Sequence, residues 1–220
     1  MHLHLFFIFA TALLLAAAGS ARAGASLFVD DAAIAPSGRC QLESWVRVHS
    51  SDQELTAVPA CNIAGTEFGI GVSDYFSPRV GPHVALGAKR LFRDFDSHDW
   101  GLGISAGAVW NADRDRFDSW NLNLPASFAL DGARRAVVHA NLGWNEPRDG
   151  PGALTAGVGT EFVLAEEWLL LGEAYGDYRG GFGAQFGLRR TFGERINFDL
   201  LAGKQRDQAS WLALGVNLLF

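Results

Sequence analysis

Apolar and polar side chains alternate strictly over the last ten residues of the chain, 211–220. Leu212, Leu214, Val216 and Leu218 would point to one side of an extended chain, and the small or polar residues between them to the other. Because successive side chains of a β-strand point to opposite faces, this period of two predicts a strand with one apolar face. The same alternation recurs along the chain from residue 40 onwards and predicts an all-β protein of about 12 strands.

The length of these stretches favours strands that cross a membrane. Each is close to the 9–11 residues that a tilted membrane strand needs, and short polar breaks separate them. Charged residues make up 19% of the chain, below the quarter typical of soluble domains. We therefore predict a transmembrane antiparallel up-and-down β-barrel. A water-soluble β-sandwich is the structural alternative, because its strands alternate in the same way.

Five tryptophans separate these two alternatives. All five fall on the apolar face and at the ends of predicted strands, which is the position of the aromatic girdle of a membrane barrel. A soluble sandwich would be expected to place tryptophan in mid-strand, in its core. The predicted girdle consists of Trp100, Trp110, Trp120, Trp144 and Trp168.

The first 39 residues do not follow the alternation. Residues 3–18 are almost entirely apolar and precede the small-x-small triplet Ala21-Arg22-Ala23, which predicts a signal peptide over residues 1–23. The segment before the apolar run lacks lysine and arginine, so an uncleaved N-terminal anchor is the alternative. We interpret residues 24–39 as a periplasmic lead-in or a partial plug, and residues 40–220 as the barrel.

The inward face of the predicted barrel is rich in glycine and carries charges of both signs. Small inward residues could leave an open lumen, or they could let a small barrel curve and pack tightly. Opposite charges across a narrow lumen could pair and close it, or act on a polar solute. The slight acidic excess predicts weak cation preference. The predicted lumen-lining residues are Glu43, Arg47, Glu67, Lys89, Asn121, Asn123, His139, Glu161, Glu173, Arg189 and Asp199.

The two cysteines face each other if the first hairpin turns at residues 50–51. Opposite residues then sum to 101, as Cys40 and Cys61 do, and an exported chain meets an oxidising compartment. We predict a disulfide, with two free thiols as the alternative. No cysteine or histidine spacing matches a metal-ligand set, and no cofactor is expected.

An enzymatic interpretation rests on three inward residues. If residue 127 opposes residue 139, then Ser127 and His139 are neighbours and Glu161 lies one diagonal away, as a nucleophile, base and orienting carboxylate would. These residues would face the middle of the lumen, and the chain has no Gly-x-Ser-x-Gly motif. We therefore expect that the protein is not an enzyme, with an outer-membrane lipid hydrolase as the alternative.

Two stretches resemble known bacterial families. The final strand, with Gly215 five residues before a terminal Phe220, resembles the C-terminal assembly signal of outer-membrane β-barrels. Residues Asp30 to Val46, with Gly38 and Glu43 in a Gly-x-x-x-x-Glu pattern, resemble the outer-membrane transporter family of the phenol-degradation meta pathway. Narrow acid-sugar porins of about 12 strands are also similar, although their basic lumen is not evident here. These resemblances imply export through the periplasm to the bacterial outer membrane, with membrane lipids and the barrel assembly machinery as partners.

The formal net charge of −6 and the absence of a basic cluster exclude a nucleic-acid partner. We predict a channel or transporter for passive passage of small molecules through the lumen. The alternatives are the lipid hydrolase and a structural barrel with a blocked lumen. Paired lumen charges and a segment 24–39 folded into the barrel would favour the blocked barrel.

Overall fold

A computed structural model describes residues 26–50, 52–76 and 81–220. The predicted signal peptide lies outside these residues. In this part of the chain no helix is long and apolar enough to cross a membrane. The described residues form twelve strands: β1 Cys40–His49, β2 Gln53–Ile63, β3 Thr66–Tyr75, β4 His83–Arg93, β5 Trp100–Asn111, β6 Arg116–Ala129, β7 Ala136–Pro147, β8 Ala153–Ala165, β9 Trp168–Asp177, β10 Phe182–Phe192, β11 Ile196–Gln205 and β12 Trp211–Leu219.

The sheet closes on itself. Each strand pairs antiparallel with its sequence neighbours, and β1 pairs with β12. At the junction the amide of Cys40 donates to the carbonyl of Phe220, and the amide of Phe220 donates to the carbonyl of Cys40, both at 2.9 Å. Closure leaves no strand edge with unpaired amides and carbonyls, as the interior of a lipid bilayer requires. The prediction of an all-β, 12-stranded antiparallel barrel is confirmed.

The two ends of the barrel are distinguished by the positions of its first and last strand ends. Cys40 and Phe220 lie together at one of them, here called the terminus end. The β2–β3 turn there consists of Ala64 (φ 53°) and Gly65 (φ 81°), and two residues with positive φ suit a two-residue hairpin. The opposite, loop end carries the other connections. There β6 begins at Arg116, which pairs with Asn111 beyond a register shift between Val109 and Trp110.

The barrel is apolar outside and charged inside. The outward side chains of Phe186 and Leu214 are 67% and 63% exposed, whereas the inward Arg189 and Glu161 are 0% and 2% exposed. Exposed apolar area of this extent is costly in water and suits a lipid environment. The alternation therefore sets a lipid-facing and a lumen-facing surface, as a period of two requires.

The five predicted girdle tryptophans lie on the outward face near the two rims. Trp100 and Trp168 lie at the terminus end, and the guanidinium groups of Arg93 and Arg190 cover their rings at 4.4 and 5.4 Å. Trp110, Trp120 and Trp144 lie towards the loop end. Their role at the membrane interfaces remains a prediction.

The inward face is less polar than the sequence pattern indicates. Leu169, Leu171 and Leu201 point into the lumen and pack with the buried Trp211 and Ala213. In β9, residues 168–171 are apolar on both faces, so their alternation cannot define which side is inside. These inward leucines form an apolar patch on one wall of the lumen, and Leu27 packs against it.

A disulfide joins Cys40 and Cys61 at the terminus end of the first hairpin. The two residues are direct partners in the β1–β2 ladder, with Cα atoms 4.0 Å apart. The bond closes a loop with a sequence separation of 21 residues and ties the strand at the closure seam to its neighbour.

Removing this disulfide is expected to lower the free energy of unfolding by about 3 kcal/mol, because the unfolded chain loses a cross-link that closes a loop of this size. Urea unfolding of the Cys40→Ser/Cys61→Ser double variant, compared with the oxidised parent, measures the difference. Equal unfolding midpoints would show that barrel closure alone fixes the hairpin.

Candidate functional site

Residues 26–39, here called the lumen segment, run inside the barrel rather than beside it. The amides of Phe28 and Val29 donate to the two carboxylate oxygens of Glu173 at 2.8 and 3.0 Å. The side-chain amide of Gln185 donates to the carbonyl of Ser26 at 2.8 Å and to Glu173 at 3.0 Å. Inward polar groups of β9 and β10 therefore hold the start of the segment by its main chain.

The middle of the segment is held by β6 and β7, which lie on the other side of β8 from β9 and β10. Asn141 forms two hydrogen bonds with the main chain of Asp30, accepting from its amide at 2.8 Å and donating to its carbonyl at 2.7 Å. Two residues later, the amide of Ala32 donates to the hydroxyl of Ser127 at 2.8 Å. These contacts come from β6 and β7 and fix the segment across the lumen.

The last contacts lie near the terminus end. The amide of Ala35 donates to Glu67 at 2.7 Å, and Asn62 donates to the carbonyl of Ala35 at 2.6 Å. Ser26, Ala32 and Ala35 are at most 1% exposed. These three residues are therefore enclosed by the barrel wall.

Charge pairing reinforces these main-chain contacts. The Lys89 ammonium lies 2.7 Å from Asp30 Oδ1 and 3.0 Å from Asp31 Oδ1. Burial acts to raise the pKa of Asp31, but the adjacent Lys89 outweighs it and holds that pKa below its ordinary value. Lys89 is thus a lumen cation whose partners belong to the segment.

A second ion cluster lies in the wall itself. Arg189 donates two hydrogen bonds to Asp199, at 2.7 and 2.8 Å, and a third to Glu161 at 3.0 Å. All three side chains are almost completely buried, and Asp199 also accepts from the Ser26 hydroxyl at 2.7 Å. Bidentate pairing of a guanidinium with a carboxylate compensates part of the cost of burying both charges.

An aromatic contact anchors the segment on its apolar wall. The ring of Phe28 stacks on Tyr175 with centroids 4.3 Å apart, and Trp211 meets it at 6.0 Å. The guanidinium of Arg47, which pairs with Glu54 at 2.8 Å, lies 4.5 Å from the Phe28 centroid. Phe28 is therefore fixed between an aromatic ring and a cation.

Several inward glycines leave the space that these groups occupy. A Cβ atom on Gly157 would lie 2.8 Å from Val29 Cγ2, and one on Gly203 would lie 2.5 Å from the Trp211 ring. Inward glycines could indicate an open lumen or close packing. At these positions the structure favours close packing.

The three residues of the enzymatic alternative do meet. Ser127 is the ladder partner of His139, with its hydroxyl 2.8 Å from His139 Nδ1, and His139 Nε2 lies 3.9 Å from Glu161 Oε1. All three are at most 2% exposed, and the Ser127 hydroxyl accepts the Ala32 amide. The arrangement has the right residue types but no path for a substrate while the segment is in place.

The remaining predicted lumen residues lie outside these clusters. Glu43 lines a cavity of about 110 Å³ between the segment and the terminus end, together with Glu67 and Lys89. Asn123 donates to Asn141 at 3.1 Å. Asn121 pairs with Asn145 in the ladder, nearer the loop end. In the described residues no group of three or more His, Cys, Asp or Glu side chains could hold a metal ion.

Sequence reasoning did not single out three of the residues that hold the segment. Asn62, Asn141 and Gln185 are inward polar residues of predicted strands, but nothing in the pattern distinguishes them from other inward residues. Asp30 and Asp31 stand out as a charged pair in an otherwise uncharged stretch, residues 24–38. Pairing of these two aspartates with the single inward lysine, Lys89, is the feature of the sequence that could have predicted a segment inside the lumen.

Closure of twelve strands, an apolar exterior and a charged interior define the fold of an outer-membrane porin-like barrel. The family model described as "Uncharacterised conserved protein UCP029691" matches residues 11–220, so the chain belongs to that family. This is not the meta-pathway transporter family that residues 30–46 resemble.

The fold of this barrel is shared with one porin of known structure. Two structures of the KdgM porin, one in complex with disordered oligogalacturonate, align with a TM-score of 0.65 and 9% identity, covering 81% of this chain and 98% of the porin. A triple mutant of the Rhodopseudomonas blastica porin aligns with a TM-score of 0.43 and 13% identity, over 76% of this chain and 55% of the porin. No curated protein matches the chain.

Proposed function

We propose that the protein is a channel of the bacterial outer membrane for passive passage of small polar solutes, and that its lumen segment narrows the passage. Export through the periplasm, membrane lipids and the barrel assembly machinery belong to this proposal. The terminus end would then face the periplasm, and Gly215 and Phe220 would belong to the assembly signal.

One observation carries the proposal. The barrel encloses a polar lumen wide enough to hold a peptide segment, and that segment is attached to the wall mainly by hydrogen bonds and ion pairs. In a small closed barrel with no passage, side chains of the strands themselves fill the interior. Here a separate segment fills the space, so its displacement would leave a passage of similar cross-section.

A structural barrel with a blocked lumen is the second candidate. The same segment favours this candidate. A blocked barrel is expected to have paired charges in its lumen and to have the segment before β1 folded into the barrel. The two candidates differ in whether the segment ever leaves. A channel must admit solutes, and a blocked barrel must exclude them.

Solute uptake by vesicles distinguishes the two candidates. Refolded protein in liposomes is exposed to iso-osmotic solutes of increasing size, and swelling is followed by light scattering. The channel predicts swelling with the smallest polar solutes and none with those wider than the lumen. Swelling no faster than that of protein-free liposomes, with correctly folded barrel in the bilayer, would favour the blocked barrel.

The Ser127→Ala variant is expected to show the same background lipid hydrolysis as the parent. The physical reason is that Ser127 is completely buried and engaged by Ala32 and His139. Release of fatty acid from phospholipid, followed by titration, is the measurement. Hydrolysis by the parent that disappears in this variant would establish the lipid hydrolase instead.

A further inference from the structure

The lumen wall contacts the segment through its main chain more than through its side chains. In the described residues, wall side chains bond to eight main-chain groups of the segment, namely the carbonyls of Ser26, Asp30 and Ala35 and the amides of Phe28, Val29, Asp30, Ala32 and Ala35. Their partners are side chains of six strands, β2, β3, β6, β7, β9 and β10. A polypeptide is thus held by its repeating amide and carbonyl groups.

The geometry of two partners is specific for a peptide backbone. Glu173 receives the amides of two consecutive residues with its two oxygens. Asn141 accepts from the amide and donates to the carbonyl of a single residue, as a neighbouring strand would. A sugar or an aromatic acid has no row of alternating donors and acceptors with this spacing.

The segment side chains add little selectivity at several positions. Residues 32, 33 and 35 are alanines, and Val29 lies against the glycines 157 and 159. The exceptions are the Ser26 hydroxyl, which donates to Asp199, the Phe28 ring, which stacks on Tyr175, and the two aspartates that pair with Lys89. A peptide on the same path with an acidic side chain near Lys89 would keep most of these contacts.

We propose that the lumen wall is a binding site for short peptides and that the lumen segment occupies it as an internal ligand. This inference rests on the proposed channel function, since a peptide reaches the site only when the segment has left it. Peptides with acidic residues are then the solute class that competes with the segment. The main-chain contacts give affinity for any peptide that can follow the path of the segment, and Lys89 gives preference for acidic ones.

The test uses the whole chain, folded with its segment in place. A protease recognition sequence is introduced at the exposed turn of residues 36–38, the protein is refolded, and the segment is cut and washed out. A labelled peptide with the sequence of residues 26–35 is then added, and its binding is followed by fluorescence anisotropy. Binding measured in this way does not depend on conductance.

Backbone recognition predicts how modified peptides behave. N-methylation at Val29 and Ala32 removes the hydrogen bonds to Glu173 and Ser127 and should weaken binding at least tenfold. N-methylation at Ile34, whose amide has no hydrogen bond to the wall in the described residues, is the matched control and should change binding by less than threefold. An alanine-rich peptide that keeps both aspartates should bind within about tenfold of the parent peptide.

Variants of the wall give the complementary test. Asn141→Ala loses two hydrogen bonds to the peptide and should weaken binding roughly tenfold. Asn145→Ala is the matched control and should leave peptide binding unchanged. Asn145 lies on the same face of the same strand but has no hydrogen bond to the segment in the described residues. Equal affinity of the two N-methylated peptides, or displacement of the peptide by an equal concentration of a neutral oligosaccharide, would overturn the inference. Failure of ion conductance with peptide binding intact would instead count against the channel alone.

Discussion

Replacing Arg189 by glutamine is expected to lower the free energy of unfolding by about 3–5 kcal/mol, because Asp199 and Glu161 would remain buried without their shared cation. All three side chains are almost fully buried, and the wall offers these carboxylates no solvent. Urea unfolding in lipid vesicles, followed by tryptophan fluorescence, measures the change.

The adjacent arginine supplies the control. Arg190 points outward and pairs with Glu167 at 3.3 Å, with both side chains about half exposed. Arg190→Gln should therefore change stability by about 0–1 kcal/mol. If Arg189→Gln unfolds at the same urea concentration as Arg190→Gln, the buried cluster does not stabilise the barrel.

Replacing Lys89 by methionine is expected to expel the lumen segment while the barrel remains closed. Without the ammonium, Asp30 and Asp31 would lose their shared cation while lying close to the acidic Glu67 and Glu43, and the loss of that cation is costly. The strands keep their ladder hydrogen bonds, so the segment is the part that leaves. Chymotrypsin should then cut after Phe28 at least tenfold faster than in the parent, as mass spectrometry of the products would show.

Lys204→Met is the matched control, since Lys204 is the chain's other lysine and is exposed on β11. It should leave the cleavage rate unchanged. A Lys89→Met protein whose Phe28 remains as protected as in the parent would show that main-chain hydrogen bonds hold the segment without the ion pairs.

The strands could be predicted from the sequence because their information is local. Alternation over about ten residues defines a strand and its two faces, and a tight turn then sets the register of the hairpin. The β1–β2 hairpin is an example, in which one turn position places residue 40 opposite residue 61. The β9 strand is the counter-example, because Leu169 and Leu171 are as apolar as Trp168 and Leu170.

The lumen segment could be named only as a lead-in or partial plug, because its structure depends on distant residues. It has no period of its own, and its partners are far away in sequence: Gln185 lies 159 residues from Ser26, and Glu173 lies 145 from Phe28. Closure of the barrel brings these groups together, and no local pattern encodes that. The same holds for Arg189, Asp199 and Glu161, whose inward direction follows from alternation but whose pairing follows from register.

Single-channel conductance in a planar bilayer, before and after cutting the segment at residues 36–38, tests the central claim most directly. The account predicts small or rare openings for the uncut protein and larger, stable steps after the segment is removed, with weak preference for cations because the exposed wall has an acidic excess. A cut, folded barrel that conducts no better than the uncut protein would contradict it, because the segment would then not be what narrows the lumen.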